Sequence, residues 1–410
     1  MEKSKYTSKS EIDKPLSVFE TLKKDATNVE SSLQDSNQIL CEPIVTMSSL
    51  GKFARFGNQL FQYAFLKISA QKSGAKVECS SWIGQTLFGH NDATVSKLFP
   101  PAIERRDSGE SLFDVVPELI PYIEKITGNK SSLVGSEVLN YGLSNCDLWG
   151  FFQVNTRLLE PHKEYFHSLF QPVSDLKESL EDGLHILRSK GKTIIGIHIR
   201  RGDFVTAPML GFTLAVPSKW WCDWLDSIWS ELDNPVLFLC SDDLENVVHD
   251  FDRFSPITSK DLNVKLPERM KDLNAEFYID FFMLSNCDVV GISNSIFSFT
   301  ASMMNECAKV FVRPHWDFST KFTMFDPWNS EPLLYMGGQK SKVYKSFVDS
   351  LYVTYVTQDI FGLLKFIFVY FPISLAKRWL TRGYLGYQVQ GFVGVLKSFF
   401  YTCGWRSVWK

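Results

Sequence analysis

The sequence predicts an α/β protein made of two lobes, each built on a parallel, doubly wound sheet. The order strand, loop, helix, strand occurs early in the chain and starts again near residue 190. A length of 410 residues suits two lobes of ordinary size with additional segments, and a hydrophobic share of 45% indicates ordinary globular cores. Two such lobes would face each other across a cleft, lined by polar groups at the carboxyl ends of the strands.

The first lobe begins with a strand-like pattern in "EPIVTMSSL". The next stretch, "QLFQYAFLKISAQKSG", has apolar residues at helical spacing, and Gly74 is a suitable helix stop. "AKVECS" then predicts the next strand. Residues 86–145 show no regular pattern, and no elements are predicted there.

The second lobe follows an amphipathic helix predicted in "DLKESLEDGLHILRSKG", which would end at Gly191. "TIIGIHI" is a continuous β-branched strand suited to burial on both faces. Further on, a helix capped by Asn294 and Ser295 is predicted in "IFSFTASMMNEC". Three more strands are predicted in "PVLFLC", "VVGIS" and "KVFVRP".

These patterns divide the chain into four parts. Residues 1–42 mix charged residues with Ser and Thr, without an apolar run long enough for a signal peptide or a spanning helix, so they predict a disordered tail. The first lobe is assigned to residues 43–190 and the second to residues 191–335. Residues 336–410 form a C-terminal extension of helical, apolar and basic character.

The extension contains an apolar run at 360–376 that includes one charge, Lys365, and is interrupted by Pro372. This run is slightly short of the roughly 20 apolar residues that span a bilayer. From residue 356 onward, seven basic residues stand against one acid, Asp359. Two alternatives stay open: an interfacial segment that faces anionic lipid, giving peripheral membrane association, or a helix packed on the protein's own surface.

Composition excludes several classes of function. A net charge of −3 gives no electrostatic case for nucleic-acid binding. The eight cysteines are scattered without a CxxC pair, which argues against a zinc site and favours a reducing compartment. We therefore expect a cytoplasmic or peripheral membrane location. No GxSxG, P-loop or GxGxxG motif occurs.

A first candidate binding element lies directly before the first predicted helix. Gly57 permits a tight turn there and Asn58 is a suitable cap, so the backbone N–H groups of the helix start could bind an anion. The alternative is an ordinary helix cap without a ligand.

The stretch "IIGIHIRRGDF", residues 194–204, ends a buried strand in a histidine, two arginines and an aspartate. Burying such charge without a partner is costly, so these groups either meet a ligand or form a salt-bridged strand end. Arginine can hold a diphosphate bidentately. Because side chains alternate along a strand, we expect His198 and Arg200 to reach the ligand together, and Arg201 to pair with Asp203 or a neighbouring acid.

A third element supplies further polar groups. Asp280 lies in an apolar helical stretch, where it either hydrogen-bonds a helix cap in the core or binds a base or ribose. Asn294, Ser295 and Ser298 surround a helix start, where they suit phosphate binding or ordinary capping. The acidic "DFD" at 250–252 follows a helical stretch and is interpreted as a solvated face. The three elements together fit a nucleotide-diphosphate site without a metal.

Five motifs occur in the order seen in α-1,2-fucosyltransferases: "ARFGNQLFQYAFL", "GFFQVNTRLLEPHKEYF", "GIHIRRGDF", "LFLCSDDLENV" and "YIDFFMLSNCDVVGISNSIFSF". Over about residues 44–335 the chain therefore resembles this family, glycosyltransferase family 11. The first and third motifs are shared with other GDP-fucose-dependent transferases, including protein O-fucosyltransferases. The family usually has two tryptophans where this chain has Phe299 and Thr300, and the extension lies outside the resemblance.

The resemblance implies a two-lobed, GT-B-like fold that uses GDP-fucose, inverts the anomeric centre and needs no metal or other cofactor. Arg200 and Asp203 are the candidate catalytic residues, the first as the cation that replaces a metal and the second as a base, by position only. The residues that match or accompany the family's donor contacts are Arg55, Phe56, Gly57, Asn58, His198, Arg200, Asp280, Asn294, Ser295, Ser298 and Phe299.

The activity implied is transfer of L-fucose from GDP-fucose to the 2-hydroxyl of a galactoside in a glycan. Such a transfer passes through an oxocarbenium-like state while negative charge builds on the departing GDP. The alternatives are fucosyl transfer at another linkage or to protein hydroxyls, and a non-catalytic sugar-nucleotide or glycan-binding protein.

Overall fold

The structure, a computed structural model, describes residues 42–52, 54–105, 116–206, 215–314, 322–334 and 360–370. These residues form two five-stranded sheets flanked by helices, which gives an α/β fold of two lobes. The predicted GT-B-like, two-lobed fold class is confirmed. The tail predicted for residues 1–42 lies outside the described residues except for its last position, and so does most of the extension.

The first sheet is parallel throughout, as predicted for a doubly wound lobe. Its spatial order is β2-β1-β5-β3-β4. The strands are β1 (Ile44–Met47), β2 (Lys76–Cys79), β3 (Pro101–Glu104), β4 (Ser132–Val134) and β5 (Cys146–Trp149). The helices of this part are α1 (Phe56–Ser73), α2 (Ile83–Phe88), α3 (Val116–Thr127) and α4 (Val138–Tyr141).

The second sheet has the order β10-β9-β8-β6-β7, and its strands are parallel except for the antiparallel β10. The strands are β6 (Thr193–Ile199), β7 (Pro235–Ser241), β8 (Val289–Ile292), β9 (Val310–Pro314) and β10 (Phe322–Met324). The helices from residue 163 onward are α5 (Lys163–Leu169), α6 (Ser174–Arg188), α7 (Gly202–Thr206), α8 (Ser218–Ile228), α9 (Phe277–Leu284) and α10 (Ile296–Met304).

Helix α1 begins three residues before the predicted stretch and ends where it was predicted. Its C-cap is Gly74, whose φ of 68° is left-handed and favours glycine. Helix α6 ends at Arg188, earlier than the Gly191 end that the sequence predicts. The stretch 86–145, for which no elements were predicted, contains the 12-residue helix α3 and the shorter elements β3, β4 and α4.

Helix α1 is buried on nearly all sides because it lies between the first sheet and the second lobe. Phe56, in its first turn, is 8% exposed. Its ring centroid lies 4.9 Å from that of Phe277, 5.1 Å from Phe281 and 6.5 Å from Phe297. Since these three rings belong to α9 and α10, Phe56 packs the first lobe against the second.

Gly57 lies where α1 approaches α10 most closely. A Cβ at this position would lie 2.7 Å from the backbone nitrogen of Phe297 and 2.8 Å from the carbonyl carbon of Ile296. Such separations are below van der Waals contact, so a side chain here would force the two helices apart. The glycine therefore permits close helix packing between the lobes.

The segment 322–334, which follows β9, contacts the residues that follow β5. Thr156 donates through its backbone nitrogen to the carbonyl of Ser330 at 2.9 Å, and its hydroxyl accepts from the Ser330 nitrogen at 3.0 Å. The side-chain amide of Asn155 donates to Glu331 at 2.7 Å. These bonds fix the segment 322–334 against the residues that follow β5.

Within the extension, residues 360–365 are α-helical and Phe366–Tyr370 forms a π-helical turn. None of the helices in the described ranges is both long and apolar enough to cross a bilayer. The cysteines that the structure describes are free, and of these only Cys307 is exposed.

Replacing Phe56 by alanine should lower the free energy of unfolding by about 3–5 kcal/mol, because the ring fills the core between the lobes. Urea denaturation checks this value. Tyr141→Ala is the control, since the Tyr141 side chain is 56% exposed and its loss should cost no more than about 0.5 kcal/mol. Equal stability of the two variants would show that Phe56 does not hold the lobes together.

Candidate functional site

The carboxyl end of β6 is the centre of the candidate site. Ser293, which directly follows β8 and is fully buried, accepts a hydrogen bond from the backbone nitrogen of Arg200 at 2.8 Å. Its hydroxyl donates to the carbonyl of His198 at 3.0 Å. The serine thus fixes the backbone where the strand ends, and with it the direction in which the arginine leaves the sheet.

The Arg200 guanidinium is held between two carboxylates. Its Nη2 lies 2.5 Å from Oδ1 of Asp203 and its Nη1 lies 2.8 Å from Oδ2 of Asp242. The side chain is 16% exposed, so the pairs are partly withdrawn from water and interact more strongly than surface pairs. Burial raises the pKa of Asp242, Arg200 opposes this shift, and Asp203 adds to it.

Asp203 connects this cluster to the first lobe. Its Oδ2 accepts a hydrogen bond from Nη2 of Arg55 at 3.1 Å, while its Oδ1 faces Arg200. Arg55 is 42% exposed and is the residue that caps the N-terminus of α1. One carboxylate therefore lies between two guanidiniums that come from different lobes.

Arg201 pairs with a neighbouring acid, which is one of the two partners that the sequence predicts for it. Its Nε donates to Asp243 at 3.1 Å. Its backbone nitrogen donates to Oδ1 of Asp242 at 2.8 Å. The structure thus contains the salt-bridged strand end that was one of the two alternatives, and it places this strand end beside Arg55 of the opposite lobe.

His198 is 5% exposed, and its ring centroid lies 5.3 Å from that of Phe297. Burial lowers its pKa to about 3, since the charged imidazolium would lose its hydration there. The imidazole is therefore neutral at physiological pH. Its Nδ1 is buried without a hydrogen-bond partner, which leaves one ring nitrogen available to a ligand.

Asp280 in α9 has a buried Oδ1 that makes no hydrogen bond. Burial raises the pKa of this carboxyl to about 7, and a hydrogen bond with Ser259 opposes the shift. The residue lies close enough to Cys240 in β7 to raise the pKa of that thiol, after the larger effect of burial. The sequence left two roles open for Asp280. The carboxyl oxygen without a partner agrees with binding of a ligand, whereas the hydrogen bond with Ser259 agrees with a contact inside the core.

The start of α1 differs from the prediction. Gly57 and Asn58 lie inside the first turn of the helix, not before it, and the N-cap is Arg55, whose side chain makes no capping bond. Asn58 instead accepts a hydrogen bond from the side-chain amide of Gln153. Asn58 is therefore not the helix cap. Gly57, where a tight turn was expected, is part of the helix and packs against α10.

The start of α10 also differs in detail. Ser295 is the N-cap but its side chain makes no capping bond. Asn294 is 2% exposed, donates to the carbonyl of Leu334 at 2.8 Å and accepts from the Leu334 nitrogen at 2.9 Å. The predicted Asn294 side-chain cap is thus wrong, because that amide ties down the segment 322–334.

Ser298 and Phe299 lie further into α10 and are fully buried. The Ser298 hydroxyl donates to the carbonyl of Ser295 at 3.3 Å. The Phe299 ring stacks on Phe325 at 5.7 Å between centroids. These contacts are internal packing, and the donor contacts that the resemblance implies for both residues, as for Phe56, stay predictions.

Two residues of the site were missed by sequence reasoning. Asp242 and Ser293 hold Arg200 from positions 42 and 93 residues further along the chain. Two sequence signals could have found them: both directly follow buried strands, where polar groups meet at the edge of a parallel sheet, and both lie within motifs of the family resemblance. Among the described residues, no group of three or more histidine, cysteine or acidic side chains could hold a metal ion.

Asp280→Asn should change how stability depends on pH. A carboxyl whose folded pKa of about 7 exceeds the ordinary 3.8 destabilises the fold progressively from about pH 4 to pH 7. Compared with wild type, the Asn variant should gain roughly 2 kcal/mol of unfolding free energy between pH 5 and pH 8. Urea denaturation at both pH values measures this difference.

The exposed Asp272 provides the control, because Asp272→Asn removes an acid that lies at the surface. That variant should keep the same stability difference from wild type at both pH values. If Asp280→Asn behaves in the same way, the carboxyl is not buried as described.

One comparison with known families covers most of this site. Residues 143–324 match the family model of glycosyl transferase family 11, and this range includes Arg200, Asp203, Asp242 and Asp280. None of the curated proteins matches the chain.

Several solved structures are similar in outline. The fucosyltransferase NodZ from Bradyrhizobium is 14% identical with a TM-score of 0.43, over 70% of this chain and 99% of that one. A mutant of FUT1 from Arabidopsis thaliana in complex with GDP is 12% identical with a TM-score of 0.39, over 72% and 75%. POFUT1 in complex with GDP-fucose is 11% identical with a TM-score of 0.39, over 67% and 96%. Because these TM-scores lie below 0.5, the likenesses do not bear on the chemistry.

The family match covers the whole second sheet, from β6 to β10, with the network around Arg200. It also coincides with four of the five motifs on which the resemblance rests. Residues 143–324 therefore match the model of glycosyl transferase family 11, the family that the sequence motifs indicate.

Proposed function

We propose that this protein transfers L-fucose from GDP-fucose to the 2-hydroxyl of a galactoside in a glycan, with inversion and without a metal. The observation that carries the proposal is the meeting of Arg55 and Arg200, from the two lobes, at the single carboxylate of Asp203. Two guanidiniums on opposite sides of one anion form a suitable receptor for a diphosphate.

Donor binding would exchange one anion for another. A diphosphate offers more oxygen acceptors than the Asp203 carboxylate and would compete with it for Arg55 and Arg200. Asp242 contacts the other edge of the Arg200 guanidinium, at Nη1, and would keep it in place during the exchange. Asp203 would then be released beside the reacting centre.

The reaction breaks the bond between the fucose anomeric carbon and the β-phosphate oxygen, and the electron pair leaves with GDP. The oxygen of the acceptor hydroxyl forms the new bond from the opposite face, which inverts the configuration. The hydroxyl proton needs an acceptor, and the released Asp203 would take this role. Arg200, which is partly buried, stabilises the negative charge that develops on GDP.

His198 and Asp280 would bind the rest of the donor. The neutral imidazole of His198 offers a hydrogen bond without adding charge. Asp280 has an unpartnered carboxyl oxygen for a base or ribose. In this scheme the arginines supply the positive charge that a divalent ion supplies in metal-dependent transferases.

The acceptor in this proposal is chosen from the sequence motifs. The "SDD" and "NSIFS" motifs favour the α-1,2 linkage among GDP-fucose-dependent transferases, whereas the first and third motifs are shared with transferases of other linkages. A second candidate function is non-catalytic binding of a sugar nucleotide or glycan. The observation that supports this second function is that the carboxylates of Asp203 and Asp242 already form ion pairs with both edges of the Arg200 guanidinium.

Arg200→Lys should lower turnover at least about tenfold, which corresponds to about 1.4 kcal/mol of transition-state stabilisation. Lysine keeps the charge but cannot contact two anions in the planar, bidentate manner of arginine. Arg253→Lys is the matched control, since Arg253 is 53% exposed and pairs with Asp226 at 2.5 Å at the surface. An unchanged rate for the Arg200 variant would remove Arg200 from the phosphate site.

Incubation with GDP-fucose and β-galactosides should release GDP at the same rate with and without EDTA, and should yield a 2-linked fucoside. Release of GDP is measured by a coupled assay, and the linkage by NMR. Loss of activity in EDTA would overturn the metal-free mechanism. Binding of GDP-fucose without release for any galactoside or hydroxyl acceptor would favour the non-catalytic function.

A further inference from the structure

The described part of the extension exposes several large apolar side chains. In residues 360–370, Ile360 is 50% exposed, Phe361 73%, Leu364 44% and Phe368 73%. We call these four residues the C-terminal apolar face. Elsewhere in the described ranges, exposed large apolar residues such as Leu133 and Met324 occur singly on separate elements, which is ordinary for a protein surface.

The four residues share one side of the helix. At about 100° of rotation per residue, positions 360, 361, 364 and 368 fall within an arc of about 100°. Lys365 borders this arc and is exposed, whereas Phe366 lies on the other side and is completely buried. The helix therefore buries Phe366 on one side and exposes the C-terminal apolar face on the other.

The charge of the sequence stretch that contains this face indicates the kind of partner. The sequence from residue 356 to the end contains seven basic residues and one acid, although the whole chain has a net charge of −3. The same stretch contains fourteen of the 59 aromatic residues of the chain. A sequence stretch rich in cations and aromatic residues that contains an exposed apolar helix face, bordered by Lys365, fits the boundary between the headgroups and acyl chains of an anionic bilayer.

We propose that the C-terminal apolar face inserts into the surface of an anionic membrane, with the helix parallel to the bilayer plane. The apolar side chains would enter the acyl boundary, and the basic residues would contact the lipid headgroups. This attachment is peripheral and does not depend on the enzymatic reaction proposed above. It would direct the protein to acceptors that are held at a membrane.

Flotation of the full-length protein with vesicles tests this proposal. The protein should float with vesicles of phosphatidylcholine and phosphatidylserine, and much less with phosphatidylcholine alone. High salt should weaken the binding, because it screens the charges. The double variant Phe361→Ser/Phe368→Ser should bind the mixed vesicles about tenfold more weakly, since both rings leave water only in the bound state.

One control variant and one independent variant of the same face make the result specific. Met324→Ser removes an apolar side chain that is 69% exposed outside the extension, and it should float like wild type. Ile360→Asn/Leu364→Asn tests the same face with different residues, so a folding defect in one variant does not decide the outcome.

Three results would overturn the proposal. The first is absence of wild-type flotation with the mixed vesicles, and the second is equal flotation of wild type and both face variants. The third is a wild-type dimer in light scattering without vesicles that becomes a monomer in both face variants, because the face would then bind a second copy of the chain.

Discussion

The carboxylate of Asp203, shared by Arg55 and Arg200, is the contact on which the proposed chemistry depends. Arg55 is 42% exposed, and ion pairs of this kind contribute at most about 1 kcal/mol to stability. The lobes are held together instead by the Phe56 ring and by the close packing of Gly57 on α10, which excludes even a Cβ. The charged contact can therefore be exchanged for a ligand without separating the lobes.

The parts of the fold that were predictable are those in which a local pattern is strong. The periodicity of α1, its left-handed stop at Gly74, and the β-branched run of β6 depend on neighbouring residues alone. Residues 86–145 gave no signal because most of their elements are short, such as the three residues of β4 and the four of α4, and because Pro121 interrupts the pattern of the longer α3. Elements of this length form only when the rest of the sheet is present to pair with them.

The same limit applies to the site. Strand alternation predicts that His198 and Arg200 share a face, because that rule is local. The functions of the asparagines could not be predicted, since Asn58 bonds Gln153 and Asn294 bonds Leu334, both far away in sequence. A residue type that commonly caps helices was used here to connect distant segments, and only the fold shows which of these two uses applies.

Burial determines which groups can carry charge at the end of β6. Desolvation keeps His198 neutral at physiological pH, so its imidazole cannot neutralise a departing diphosphate. Arg201 is already paired with Asp243. Guanidinium groups, by contrast, keep their charge at any physiological pH. Among the described side chains at this strand end, Arg200, with Arg55 from the opposite lobe, is therefore left to stabilise negative charge. In the proposed reaction, the inter-lobe position of Asp203 would matter more for catalysis than for stability.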